Sequence, residues 1–157
     1  MVIDAGSDPD CVNSGWTEGS HCSVCQEFIK EPFELLALGH TFALGSENHI
    51  CLVCGGTSPF RIETEDLPIV WKNTFRIENI TYTVRRTIDY WQFKLQITYT
   101  NLTSQTTTTA PSVMLKNTNR EGVLDPEPLL PGETGILVQY YYVAYYITGG
   151  TYALVYE

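Results

Sequence analysis

Residues 91–99 read Trp91-Gln92-Phe93-Lys94-Leu95-Gln96-Ile97-Thr98-Tyr99, an unbroken alternation of apolar and polar side chains. A period of two sends every second side chain to the same face, so the stretch predicts a β-strand with one buried face. Its flanks have the same texture. Residues 67–72, 75–80 and 81–88 before it, and 112–116, 135–147 and 151–156 after it, are rich in β-branched and aromatic residues and are further expected strands. Turn chemistry separates them: Asn101 to Gln105 as a loop, Asn119-Arg120-Glu121-Gly122 as a tight turn, Leu130-Pro131-Gly132-Glu133 as a corner and Gly149-Gly150 as a hairpin tip. Pro111, Pro126, Pro128 and Pro131 fall between strands, where a missing N–H is tolerated. Short strands without a helix signal predict an antiparallel, immunoglobulin-like β-sandwich over residues 66–157.

The front of the chain has a different chemistry. All five cysteines and all three histidines lie within the first 54 residues. Residues 1–65 carry ten acidic against two basic side chains, whereas 66–157 carry eight against seven. Residues 1–62 are therefore expected to form a separate acidic arm and a small zinc-ribbon-like module. Cys22-Ser23-Val24-Cys25 and Cys51-Leu52-Val53-Cys54 are two Cys-x-x-Cys hairpins, each able to offer two thiolates to one ion. Paired hairpins of this kind favour a tetrahedral structural zinc site over a disulfide framework. Spacing alone thus points to Cys22, Cys25, Cys51 and Cys54 as ligands, with Gly55 and Gly56 supplying the sharp turn after the second hairpin. The apolar residues of the module are few, so metal binding is expected to supply much of its folding free energy.

The stretch from Cys11 through Gly15-Trp16-Thr17-Glu18-Gly19-Ser20-His21-Cys22-Ser23-Val24-Cys25 to Ala37-Leu38-Gly39-His40-Thr41 resembles a Cys-rich repeat of large surface proteins of Gram-positive gut bacteria. The repeat reads roughly C-x3-G-L-T-E-G-x-H-C-S-V-C-G, then an apolar strand, then P-A-L-G-H-T. Trp16 stands in place of Leu, Gln26 in place of Gly after the second hairpin cysteine, and Leu36 in place of Pro. The resemblance implies a different ligand set, Cys11, Cys22, Cys25 and His40, which would leave Cys51 and Cys54 over. Both sets contain Cys22 and Cys25, and both fill all four positions with protein atoms, as a structural site does. The rear half also resembles the immunoglobulin-like modules of such surface proteins, through Thr100 to Ser104 and the corner from Leu129 to Thr134.

A formal net charge of −9 argues against nucleic acid as the main partner, since phosphate binding needs clustered Lys and Arg; Arg85-Arg86 is the only basic doublet. No apolar run is long enough to span a membrane as a helix. The first eight residues lack the basic and apolar regions of a secretory signal, and none is expected there. Tyr140, Tyr141, Tyr142, Tyr145 and Tyr146 crowd one expected strand, with Tyr141 and Tyr145 on one face. That pair is read either as core or as an aromatic platform for a carbohydrate or a protein partner. No nucleophile with its base, acid–base pair or cofactor fingerprint stands out, so a non-enzymatic role is expected. The reading is a zinc-stabilised structural or adhesion module at a bacterial surface, working with a protein partner or as a homo-oligomer. A virion component of a phage that infects such bacteria is the alternative, and a zinc enzyme the third.

Overall fold

The computed structural model describes residues 1–45 and 49–157. The described residues contain strands and turns and no helix, as the alternation predicts. The chain divides into two compact units, Met1–Gly39 and His40–Glu157. The expected boundary at residues 62–66 lies inside the second of these. The reason is strand pairing: residues 40–43 and 60–63 hydrogen-bond to strands of the rear half.

In the first unit, β1 (Val2–Asp4), β2 (Gly15–Trp16), β3 (Gly19–His21), β4 (Phe28–Lys30) and β5 (Glu34–Leu35) form two small antiparallel sheets, β1-β3-β4 and β2-β5. Pairing holds the acidic arm of residues 1–10 in place. Val2–Asp4 is zipped to β3, and Ser7 bridges Trp16 through two backbone hydrogen bonds of 2.9 and 2.8 Å. Of the apolar side chains expected to fill the front module, Phe28, Ile29, Phe33, Leu36 and Leu38 are exposed, whereas Phe42 and Leu44, which belong to the second unit, are buried; Cys11 is the one hydrophobic residue of Met1–Gly39 that is buried. So small a core makes cross-linking the main route to stability.

The second unit contains β6 (His40–Ala43), β7 (Phe60–Glu63), β8 (Ile69–Trp71), β9 (Phe75–Arg86), β10 (Tyr90–Asn101), β11 (Val113–Leu115), β12 (Asn119–Val123), β13 (Thr134–Ala144) and β14 (Gly150–Tyr156). One sheet runs β12-β13-β10-β9-β6, with β8 also on β9; the other runs β11-β14-β7. Alternation works as expected in β10, where Phe93, Leu95, Ile97 and Tyr99 are buried. The two sheets share a core built on aromatic contacts. Phe60 meets Phe93 edge-on at 5.5 Å and Trp91 at 4.9 Å, while Phe93 meets Tyr152 at 5.3 Å.

Several local expectations are revised. The two strands expected over 75–88 are one long strand, β9, with a register shift opposite Thr98 and Tyr99. Residues 119–122 are not a tight turn but lie in β12, paired with β13. The turn falls earlier, where Asn117 takes φ 60° and the Thr118 hydroxyl donates to Leu115 O at 2.7 Å. Gly149-Gly150 is not a hairpin tip, because β13 and β14 belong to different sheets. Gly149 instead lets the backbone pass Pro59, whose carbonyl oxygen would lie 2.8 Å from an added Cβ. Gly150 N then donates to that same oxygen at 3.0 Å and starts β14 alongside β7. The β7–β14 pairing is parallel, and every other pairing of the strands given is antiparallel, as expected.

Asn101 ends β10 fully buried. Its amide donates to Leu129 O and Gln105 O at 3.1 and 2.9 Å, and its Oδ1 accepts from Thr103 N at 2.9 Å. Asn101→Ala removes one donor group and one acceptor at a buried corner, so a loss of about 2–3 kcal/mol is expected. Urea unfolding should show it as a lower midpoint with an unchanged m-value.

Candidate metal centre

Three of the candidate ligand side chains, His40, Cys51 and Cys54, lie on β6 and in the hairpin bonded to it. Phe42 is fully buried against Tyr82, with ring centroids 5.1 Å apart, which pins the register of β6 on β9. His40 lies two residues earlier and so shares the face of Phe42. The Thr41 and Thr83 hydroxyls meet at 2.8 Å and fasten the same end of the strand.

On its other side β6 holds the second Cys-x-x-Cys hairpin. Leu52 N donates to Thr41 O at 2.8 Å, and Thr41 N donates to Cys51 Sγ at 3.4 Å. The hairpin itself is closed by Cys51 N to Gly56 O at 2.8 Å and Gly55 N to Cys51 O at 3.0 Å. Gly55 takes φ 72°, the left-handed turn expected of it. Cys54 Sγ lies 3.3 Å from His40 Nδ1 and accepts from Gly56 N at 3.4 Å.

Cys11 is held by a compact turn of its own. The Asp10 carboxylate accepts the N–H groups of Val12 and Asn13, both at 2.7 Å, and Leu38 N donates to Asp10 O at 2.8 Å. The side-chain amide of Asn13, followed by these backbone donors, keeps the Asp10 carboxyl below its ordinary range. The thiol of Cys11 and the ligand atoms of His40, Cys51 and Cys54 all lie within 4.8 Å of one another.

A Cys/His cluster able to hold a metal ion is thus present, but its membership is a mixture of the two expected sets. Cys51 and Cys54 come from the set read from spacing, and Cys11 and His40 from the set implied by the resemblance. Cys22 and Cys25, common to both, are not members, and neither are His21 and His49. Hairpin spacing identified the residue types and could not say which hairpin the lone Cys and His would join.

The electrostatics suit a thiolate centre. Burial acts to raise the Cys51 pKa, but the N–H groups of Cys54 and Val53, the His40 ring and the Thr41 N–H outweigh it and bring the thiol down to about 6. Gly56 matters for space, a role the sequence reading missed: a Cβ there would lie 3.2 Å from His40 Cε1 and 3.3 Å from Cys54 Sγ. A ring and a sulfur that hold an ion cannot give way without leaving it. Gly56→Ala should therefore lower metal affinity several-fold in a competitive chelator titration, with the fold unchanged by circular dichroism.

The first hairpin has the same backbone design. Cys22 N donates to Glu27 O at 2.9 Å and Gln26 N to Cys22 O at 3.0 Å, with Gln26 at φ 61° in the place of Gly55. The missing glycine therefore does not alter the turn, which Gln26 adopts at the steric cost of a left-handed residue. The N–H groups of Cys25 and Val24 hold the Cys22 thiol below its usual range. His21 is engaged elsewhere, its Nδ1 2.8 Å from Asp4 Oδ2.

The tyrosine pair does not form a platform. Tyr141 is 1% exposed, and its hydroxyl donates to Val113 O at 3.0 Å, so it is a core residue joining the two sheets. Tyr145 is 57% exposed, in the turn after β13, edge-on to Tyr146 at 5.8 Å. Strand alternation stops at Ala144, which is why the two do not share a surface.

Compared with known proteins, this chain matches no family model, no curated protein and no solved structure.

Proposed function

We propose that Cys11, His40, Cys51 and Cys54 hold one structural zinc ion, and that the chain is a non-catalytic, zinc-stabilised module with a structural or adhesive role at a bacterial surface. The observation that carries the metal assignment is the convergence of four ligand atoms within 4.8 Å of one another. Zinc bonds of 2.0–2.1 Å to nitrogen and 2.3 Å to sulfur place tetrahedral ligand atoms roughly 3.5–3.8 Å apart. The 3.3 Å between Cys54 Sγ and His40 Nδ1 is close to that range without a metal to set it. Three sulfurs and one imidazole nitrogen fill a tetrahedron and leave no position for water or substrate, which supports a structural rather than a hydrolytic ion. The surface assignment is supported by the resemblance carried by Cys11 to Thr41.

Metal analysis of the purified chain should find one zinc bound at this group. Zinc binding requires thiolates, so protons compete with the metal. Without metal the Cys51 thiol is ionised above about pH 6, and bound zinc keeps it ionised lower still, so the ion should stay bound at pH 7, lose affinity steadily below about pH 6 and be released at a lower pH. A colorimetric chelator read along that pH series checks it; retention of full zinc at pH 4 would contradict the assignment. Capsid or tail genes on either side of the encoding gene would overturn the surface reading in favour of a virion component.

A further inference from the structure

The two hairpins share one backbone design, yet only the second has its complement. Around Cys51 and Cys54 the complement is a lone cysteine and a lone histidine; around Cys22 and Cys25 no third Cys, His, Asp or Glu ligand atom converges among the described residues. Both thiols are free, Cys22 half-buried and Cys25 exposed. Their hairpin caps β4, an edge strand of its sheet, and the residues around it are apolar and open to solvent: Val24 is 88% exposed, and Phe28 and Ile29 are exposed as well. A preformed dithiol turn framed by exposed apolar side chains is half of a tetrahedral site.

We propose that Cys22 and Cys25 form half of a second zinc site, completed when a second copy of this chain presents the same two residues. A second copy is favoured because a twofold contact is isologous, so that one surface supplies both halves. Cys22 and Cys25 are also the only thiols of the chain outside the first group. Four thiols and one Zn²⁺ give a tetrathiolate with release of four protons, and no oxidant or reductant is required. Val24 and Phe28 would be covered in the contact. One effect opposes it: residues 1–39 carry seven acidic side chains and one basic, Lys30, so two copies repel. Association should then depend on zinc and strengthen with salt, which screens the repulsion.

The test is native mass spectrometry with light scattering on the full chain in zinc. A dimer carrying three zinc ions is expected, one at each Cys11 group and one shared. Cys22→Ser with Cys25→Ser should leave a monomer with one zinc and raise the dimer dissociation constant at least 100-fold. Val24→Asp, which keeps both sulfurs, should also weaken the dimer. Cys11→Ser should weaken zinc binding at the first group by roughly 100-fold and leave the dimer with its shared ion, so that failure of the first assignment and failure of this one are told apart. A wild-type monomer with one or two zinc ions, a dimer that survives in the double serine variant, or a Cys22–Cys25 disulfide in peptide maps would overturn the proposal.

Discussion

Cys51→Ser is expected to weaken zinc binding at the Cys11 group by roughly 100-fold and to lower the stability of the chain more than any other single cysteine change. Structural zinc sites contribute on the order of 10–16 kcal/mol at neutral pH. Losing one of four ligands then costs about 3 kcal/mol, or roughly 100-fold in affinity. Apart from its proposed ligation, Cys51 has two further roles: its sulfur accepts Thr41 N, and its backbone opens and closes the hairpin through Gly56 O and Gly55 N. Cys11→Ser, His40→Ala and Cys54→Ser should each weaken the same ion. Cys22→Ser and Cys25→Ser should leave it in place. Isothermal titration with zinc after chelation checks all six variants, and loss of the first-group ion in Cys22→Ser would restore a ligand set containing the first hairpin. The consequence for folding follows from the core of Met1–Gly39, where no large apolar side chain is buried. An ion that binds the folded chain and not the unfolded one adds its binding free energy directly to stability.

Phe60→Ala is expected to destabilise the second unit by about 3–5 kcal/mol, the usual loss when a fully buried phenylalanine is emptied. Phe60 is 1% exposed and is shared by both sheets through Trp91, Phe93 and Tyr152. Against a total stability on the order of 5–15 kcal/mol, such a loss leaves a marginal fold. Guanidinium unfolding followed by tryptophan fluorescence should show the shift, since Trp91 lies against the same ring. The result also bears on where the rear domain begins. A stability change below about 1 kcal/mol would mean that β7 is dispensable and that the sandwich starts after residue 66; a large one places β7 in the same core as β10 and β14.

The two experiments separate what was legible in the sequence from what was not. Alternation in residues 91–99 is a local property, since the pleat alone decides which side chains share a face. Strand content, the buried face of β10 and the corner at Leu130 to Glu133 could therefore be read directly. In that corner Gly132 takes φ 76° and Glu133 N donates to Leu130 O at 3.0 Å. Turns that lead from one sheet to the other were misread. Gly149-Gly150 looks like a hairpin because a glycine pair carries no record of which strand comes next; its purpose is set by Pro59, far away in sequence.

The metal centre divides along the same line. By itself the sequence pointed to the candidate ligand chemistry, because paired Cys-x-x-Cys hairpins with histidines nearby suit a borderline-soft ion, and it determined the turn of each hairpin, because those hydrogen bonds span five residues or fewer. Tertiary structure alone decided the partnership. Cys51 and Cys54 sit beside His40 because β6 is paired to β9 and Leu52 is bonded to Thr41, and Cys11 is held where Asp10 is bonded to Leu38. Those are long-range backbone contacts, fixed by the burial of Phe42 and the pairing of strands, and no local pattern of residues encodes them.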